Sequence, residues 1–297
     1  MLASLLIEQT FNGVQLGVML FLMSAGLTLV VGIMNVVNLT HGSVYMVGAY
    51  LGAAAAAASG SFLLGLLGAV AGTAIVGALI EISIFRRLYS RSHLDQVLAT
   101  FGLTLVFNEI VVMIWGRSSR FLSIPDALSG AIPVGDMFSY PVYRLVITAC
   151  GLALGAGLGL VIGFTRLGML VRAGATHATT VAALGGNIPL LYTIVFTAGA
   201  IMAGLAGFFI GPIVSINSSM GDSVLTLGLV VVVIGGLGSV RGALIASLLL
   251  GIGDTCARGL LPLVLGYPLG PALASMSVYL FMAAILLIKP RGLLPAS

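Results

Sequence analysis

The chain has 297 residues, of which 60% are hydrophobic and 7% charged, with a formal net charge of +4. A soluble domain carries about 25% charged residues, so these are too few to cover a water-facing globular surface. The twelve cations are scattered between apolar runs and no basic run exceeds Arg86-Arg87, which speaks against a nucleic-acid-binding face.

The apolar runs are continuous, as in "VYRLVITACGLALGAGLGLVIGF", and recur along the whole chain. A membrane β-barrel alternates apolar and polar residues over short segments, whereas a spanning helix needs a run near 20 residues. The fold class expected is therefore all-α: a polytopic transmembrane helical bundle of about 8–10 spans, with broken or short helices, forming one domain over 1–297. The 41 glycines fit close helix packing in lipid, where small residues let backbones approach.

In chain order, spans are expected at about 12–33, 42–58, 61–83, 96–115, 142–164, 190–212, 223–237, 242–257 and 271–288. The segments 42–58, 223–237 and 242–257 are short for a crossing and read as half-helices or re-entrant pieces. The first run has no basic flank and no small-residue cleavage site, so no cleaved signal peptide is expected. If the C-terminus is cytoplasmic, eight of the twelve cations (Arg86, Arg87, Arg91, Arg166, Arg172, Arg241, Lys289 and Arg291) lie on the inner side. An odd number of crossings then puts the N-terminus outside.

Between the first two runs, "MNVVNLTHGSVYMVGAY" places Asn35, Asn38, Thr40, His41 and Gly42 in an otherwise apolar stretch. Polar side chains at a helix break can satisfy the freed backbone groups, and paired breaks mark pathways in transporters. Two readings stand: a passage-lining broken helix, or a helix–loop–helix corner at the inner surface that carries His41. A weak internal repeat supports the first. "LTLVVGIMNVVNLTHGSVYMVGAYLG" from Leu27 is echoed by "LTLGLVVVVIGGLGSVRGALIASLLLG" from Leu225, with His41-Gly42 matching Arg241-Gly242. The matched break comprises Gly235, Gly236, Gly238 and Ser239, and both breaks are expected on the inner side.

Glu109, beside Asn108, is the acid deepest in a span. A central acid costs roughly 2.5–3.5 kcal/mol, so it must face protein or water or hold a proton; a structural hydrogen bond and a transport role are both open. Glu81 and Asp254 lie near span ends and are expected to reach the interface. The outer loop 116–141 is polar and Pro-bearing and is expected to fold over the external face. In the inner loop 165–189, an Ala- and Thr-rich stretch near 175–184 is expected to form a short helix, stopped by Gly185-Gly186, with Pro189 opening the next. Cys150 and Cys256 lie within or beside apolar runs and read as small buried hydrophobes.

The only lysine, Lys289, is near the C-terminus, so a GxxxxGK[ST] phosphate loop is absent. No metal-ligand spacing and no nucleophile with a base is readable. No cofactor and no enzymatic activity are therefore expected. A single buried acid does not make a proton relay, which favours a passage driven from outside over an ion-coupled carrier.

Three stretches carry a resemblance. "GLTLVVGIMNVVNLTHGSVYMVGAYLGA" (26–53), "SSMGDSVLTLGLVVVVIGGLGSVRGALIASLLLG" (218–251) and the tail "KPRGLLP" (289–295) resemble, in order and spacing, the branched-chain amino acid ABC importer permeases, the shorter of their two permease types. The resemblance implies a pseudo-symmetric bundle paired with a second permease, identical or homologous. It implies two cytoplasmic ATPase subunits beneath, a periplasmic or lipid-anchored substrate-binding protein above, and a place in the inner (plasma) membrane. It also implies that "ATTVAALGGNIP" (178–189) is the segment that enters the ATPase groove, with Ala182, Ala183, Gly185 and Asn187 matching its pattern and Thr180 where many ABC importers carry an acid. Arg172 flanks that segment, either paired with an acidic partner group or solvated. The expected cargo is branched-chain amino acids; urea, short amides or a sugar on the same machine, and an ion-coupled secondary transporter, remain the alternatives.

Overall fold

The computed structural model describes residues 2–135 and 138–294, so Asp136 and Met137 of the outer loop and the last three residues lie outside the description. Ten helices order the described chain: α1 (Leu2–Met34), α2 (His41–Ser59), α3 (Phe62–Leu88), α4 (His93–Trp115), α5 (Val142–Phe164), α6 (Arg166–Ala183), α7 (Ile188–Ile210), α8 (Met220–Gly235), α9 (Val240–Leu265) and α10 (Leu269–Ile288). A hairpin of β1 (Ala131–Val134) and β2 (Phe138–Pro141) interrupts the α4–α5 loop, with Ala131 opposite Pro141. Seven helices (α1, α3, α4, α5, α7, α9 and α10) are long and apolar enough to cross a membrane, and α2 and α8 are shorter apolar helices. The chain is thus an all-α polytopic membrane bundle.

The bundle has two ends. At one, here the α6 end, Ile33 and Met34 of α1 join Phe85 of α3, Val171 of α6 and Leu191, Val195 and Phe196 of α7 in one apolar cluster. The C-terminal tail lies there too, the Leu293 N–H donating to the Ile234 carbonyl at 2.7 Å. At the other, the hairpin end, Phe11 of α1 stacks on Tyr140 of β2, Arg120 and Ile216 exchange backbone hydrogen bonds, and the Tyr143 hydroxyl donates to the Phe209 carbonyl at 2.7 Å. The loop 116–141 therefore folds over one end, where Phe121, Ile124 and Asp126 form a cleft of about 530 Å³ with Ala53, Ala57 and Phe62.

Glycines set the central packing. α1 runs antiparallel to α9 with Gly13 against Ile252, Gly17 against Leu248 and Gly32 against Gly238, where a Cβ on Gly32 would stand 2.7 Å from the Gly238 Cα. α1 also crosses α7 at Gly26 and Gly199, each too close to the other for a methyl group. Without a hydrophobic drive between helices in lipid, such backbone approach supplies the dispersion energy that holds a bundle together.

Several expectations need correction. The segment near 242–257 is no half-helix: α9 runs 26 residues, through Pro262, and covers most of α1. The short inner helix begins at Arg166 rather than near 175, because the Thr165 hydroxyl caps it by accepting the Gly168 N–H at 3.1 Å; a non-helical His177 then divides it. Cys150 is exposed on α5 and Cys256 half-buried. Glu81 and Asp254 do not reach an interface: both carboxylates are buried and paired. Asp254 holds Arg258 one turn on, at 2.8 Å, and accepts from Ser277 of α10.

Candidate functional site

The polar stretch after α1 does not turn a corner at the bundle end. α1 stops at Met34, Asn35 takes a left-handed conformation (φ 52°), and residues 35–38 have no regular secondary structure. The chain then runs back along α1, so that His41 Nε2 lies 3.0 Å from the carbonyl oxygen of Met23. Met23 precedes the end of α1 by eleven residues (34 − 23), about 16 Å at 1.5 Å per residue. α2 thus begins deep inside the bundle, with Asn38, Thr40, His41 and Ser43 all buried. The Thr40 hydroxyl donates to the Thr100 carbonyl of α4 at 3.0 Å instead of capping its own helix. The Asn38 carboxamide and the Ser43 hydroxyl have no hydrogen-bond partner among the described residues.

A second re-entrant start belongs to the short segment read near 223–237. After α7 the chain bends at 211–219 and α8 begins at Met220, below the hairpin end. Its depth follows from Asp222, whose carboxylate accepts the Asn108 side-chain amide at 3.2 Å; Asn108 lies seven residues (115 − 108), about 10 Å, from the end of α4. α2 enters from the α6 end and α8 from the hairpin end, and their first turns cross. A Cβ on Gly221 would stand 2.8 Å from the Gly42 carbonyl carbon and 3.3 Å from the Ser43 nitrogen. Ser219, the N-cap of α8, makes no side-chain cap.

From this crossing an open face extends outward. Asp222, Ser223 and Thr226 of α8 are exposed. Glu109 of α4 is exposed in a shallow groove with Leu105, Val106, Ile110 and Met113, on the side of that helix turned away from α2 and α8. α4 turns a different face inward: Gln96, Thr100 and Thr104 are buried and Asn108 half-buried, at a four-residue spacing that puts them on one stripe toward α2 and α8. That spacing in "QVLATFGLTLVFN" was the signal by which the stripe could have been found.

The other predicted break stays at the α6 end. Gly235, Gly236, Gly238 and Ser239 form the α8–α9 turn, where Gly236 (φ 100°) and Gly238 (φ 79°) adopt backbone conformations that favour glycine and the Ser239 hydroxyl caps α9 by accepting from Gly242 at 3.1 Å. Gly238 touches Gly32 but lies a helix segment away from His41 and Gly42, so the structure does not bring the two predicted breaks together.

The segment expected to meet an ATPase is largely exposed. Thr180, Ala182, Ala183, Gly185 and Asn187 are exposed, and Leu184 is 84% exposed at the tip. Gly185 (φ 88°) ends α6, and the Asn187 side chain caps α7 by accepting the Leu190 N–H at 3.0 Å, with Pro189 in the first turn. Arg172 folds back on the Ile162 carbonyl.

One turn into α7, Thr193 donates to Glu81 at 2.5 Å, Tyr89 donates to the other Glu81 oxygen at 3.1 Å, and Arg86 lies 3.4 Å away. Glu81 begins a π-turn, Glu81–Phe85, that rotates α3 so the carboxylate faces α7. Burial and the Glu81 charge push the Tyr89 phenol above its ordinary range, so it stays a donor. Tyr89 also touches the Met34 sulfur, tying the start of α7 to the last residue of α1.

Two re-entrant helices in an apolar bundle are an arrangement that membrane transporters use. The chain belongs to the family described as branched-chain amino acid transport system / permease component, which matches residues 9–288. It is 28% identical, over 97% of its length and 95% of theirs, to the high-affinity branched-chain amino acid transport system permease protein LivH of Escherichia coli K12 and of Salmonella typhimurium. It is also 28% identical, with the same coverage, to the corresponding protein BraD of Pseudomonas aeruginosa. No solved structure matches the chain significantly.

Proposed function

We propose that the chain is the membrane-embedded permease subunit of an ATP-driven importer of branched-chain amino acids. It forms part of the passage, while two partner ATPases on the α6 side supply the energy and a periplasmic or lipid-anchored binding protein delivers cargo to the hairpin end. The observation that carries the reading is the uncovered, small-residue helix α6 with Leu184, Gly185 and Asn187 at its tip, continuous in sequence with α7, in a chain of this family. A short helix seated in a groove on another subunit passes a rigid-body push to the helices attached to it. Arg86, Arg166, Arg172, Arg241 and Lys289 gather at the α6 end, which supports a cytoplasmic α6 face and C-terminus in a plasma (inner) membrane. A second permease, identical or homologous, closes the passage along the face that exposes Asp222. Asn35, Asn38 and His41 belong to the support of that passage. The turn at Gly235, Gly236, Gly238 and Ser239 is its hinge at the α6 end.

The test is reconstitution of the chain with a partner permease, ATPases and binding protein in vesicles, measuring leucine uptake. Uptake that requires ATP and every partner is expected. Leucine uptake by the chain alone, driven by a proton gradient, overturns the reading in favour of an ion-coupled carrier. ATP-dependent uptake of urea, a short amide or a sugar in place of leucine keeps the machine and changes the cargo.

A further inference from the structure

We infer that the crossing of the two re-entrant helix starts, α2 at His41–Ser43 and α8 at Met220–Asp222, holds the zwitterionic head of an α-amino acid on its way through the membrane. The inference rests on the proposed import of amino acids and assigns the cargo's recognition point within this chain.

Three independent features meet there. The first is the pair of helix N-termini. Each presents backbone N–H groups that its own helix leaves unpaired, together with the positive end of its dipole, which suits a carboxylate. Neither carries a side-chain cap: Thr40 is drawn away to the Thr100 carbonyl and Ser219 makes none. The second is unmet polar capacity. Ser43 lies in the first turn of α2 with its backbone nitrogen against Gly221, and its hydroxyl, in a residue 1% exposed, has no partner among the described residues; Asn38, just before that turn, is 0% exposed and has both carboxamide atoms unpartnered. Leaving such groups unpaired costs free energy that a bound polar ligand recovers.

The third feature is the acid beside them. Asp222 is exposed at the first turn of α8, bonded by Asn108 and flanked by exposed Ser223 and Thr226, about 10 Å below the end of α4. A carboxylate at that depth is not left to lipid, so this face lines a wet passage. An α-ammonium and an α-carboxylate are separated by two bonds, and here an acid and two N-terminal N–H clusters lie within one helical turn of each other. The carboxylate is held by the α8 first turn and the Ser43 hydroxyl, and the ammonium by Asp222.

The test uses the complete reconstituted transporter. Asp222→Asn keeps the shape and the hydrogen bond with Asn108, so a merely structural role predicts unchanged transport. The inference predicts at least about a tenfold loss of leucine uptake, with binding-protein-stimulated ATP hydrolysis retained, and a smaller loss for Ser43→Ala. Asp222→Glu restores part of the uptake. In a Cys150→Ala, Cys256→Ala background, Thr226→Cys reacts with a charged thiol reagent and leucine slows the reaction. Wild-type uptake in Asp222→Asn together with Ser43→Ala, or a Thr226→Cys that the reagent does not reach, overturns the inference and leaves the import function standing. A wild-type transporter that moves no leucine removes the proposed function, and the inference falls with it.

Discussion

Thr193 donates to Glu81 over 2.5 Å and so joins the first turns of α7 to the π-turn of α3, nine residues after the exposed tip of α6 at Leu184. Tyr89 continues the connection from Glu81 to Met34, the residue at which α1 gives way to the re-entrant stretch. In the proposed importer, a push on the α6 segment would have one buried carboxylate between it and the re-entrant stretch. Replacing Thr193 with Val leaves Glu81 buried and short of a donor, at a cost of about 1–3 kcal/mol. The purified variant should melt at lower temperature than the wild type and hydrolyse ATP with reduced uptake per ATP; an unchanged ratio of uptake to hydrolysis would show that the carboxylate carries no coupling.

His41 pins α2 to α1 through the Met23 carbonyl. His41→Leu keeps comparable volume and loses the hydrogen bond, leaving the carbonyl unmet at a cost of about 1–3 kcal/mol. Lower thermal stability and lower leucine uptake are expected together, and His41→Gln should recover part of both by donating from its amide. Thermal denaturation in detergent, followed beside uptake in vesicles, checks this.

Gly42 and Gly221 leave no room for a side chain: a Cβ on Gly42 would stand 2.8 Å from the Leu225 Cβ and 3.0 Å from the Gly221 carbonyl carbon. The Gly221 atoms are backbone and the Leu225 Cβ is fixed to its own backbone, so neither can swing aside, and overpacking of roughly 1–3 kcal/mol is expected even for Ala. Gly42→Ala should lower the melting temperature and the yield of assembled transporter. Gly102→Ala is the matched control, since nothing lies near its Cβ and helix propensity there favours Ala.

Much of this architecture was readable from the chain. The nine apolar segments each fall on a helix, because a run near 20 apolar residues has few alternatives. Gly185 and Pro189 marked the end of α6 and the start of α7 through local backbone rules. What stayed hidden depends on partners far along the chain. His41 and Arg241 occupy matching places in the internal repeat, yet α2 starts inside the bundle and α9 at its end. An imidazole can be buried as a neutral ring bonded to Met23, whereas a guanidinium cannot shed its charge. Glu81 looked like an interfacial acid because neither the π-turn that rotates it nor the Thr193 that meets it, 112 residues away, has a local signature. The short segment near 223–237 was legible as re-entrant, but the depth at which it starts was not, because Asp222 finds its partner, Asn108, 114 residues earlier.

The exposed tip of α6 yields the sharpest test of the proposed coupling. Leu184 is 84% exposed just past the end of α6, more than Met169 (55%) and Leu170 (44%) earlier in that helix, while Val171 and Val181 are buried against the bundle. An isolated Leu on a polar surface is ordinary, but this one is flanked by Ala182, Ala183 and Gly185, whose small side chains form a low, flat face suited to lying in a groove. Leu184→Asp puts a charge into that groove without touching the helix interior. ATP hydrolysis should lose its dependence on the binding protein and leucine uptake should fall by about tenfold, since desolvating an unpaired carboxylate at an interface costs well over 1.4 kcal/mol. Stability of the permease by itself should be unchanged. Gly185→Trp probes the same contact by bulk: nothing lies within 4 Å of a Cβ there, so the ring fits the free chain, and the strain of φ 88° is the only intramolecular penalty. Gly185→Asn tolerates that left-handed backbone and adds little bulk, so it separates the two effects. Uncoupling in Gly185→Trp with near-normal coupling in Gly185→Asn locates the contact at the tip of α6; normal coupling in both Gly185→Trp and Leu184→Asp means that this helix does not seat in an ATPase groove.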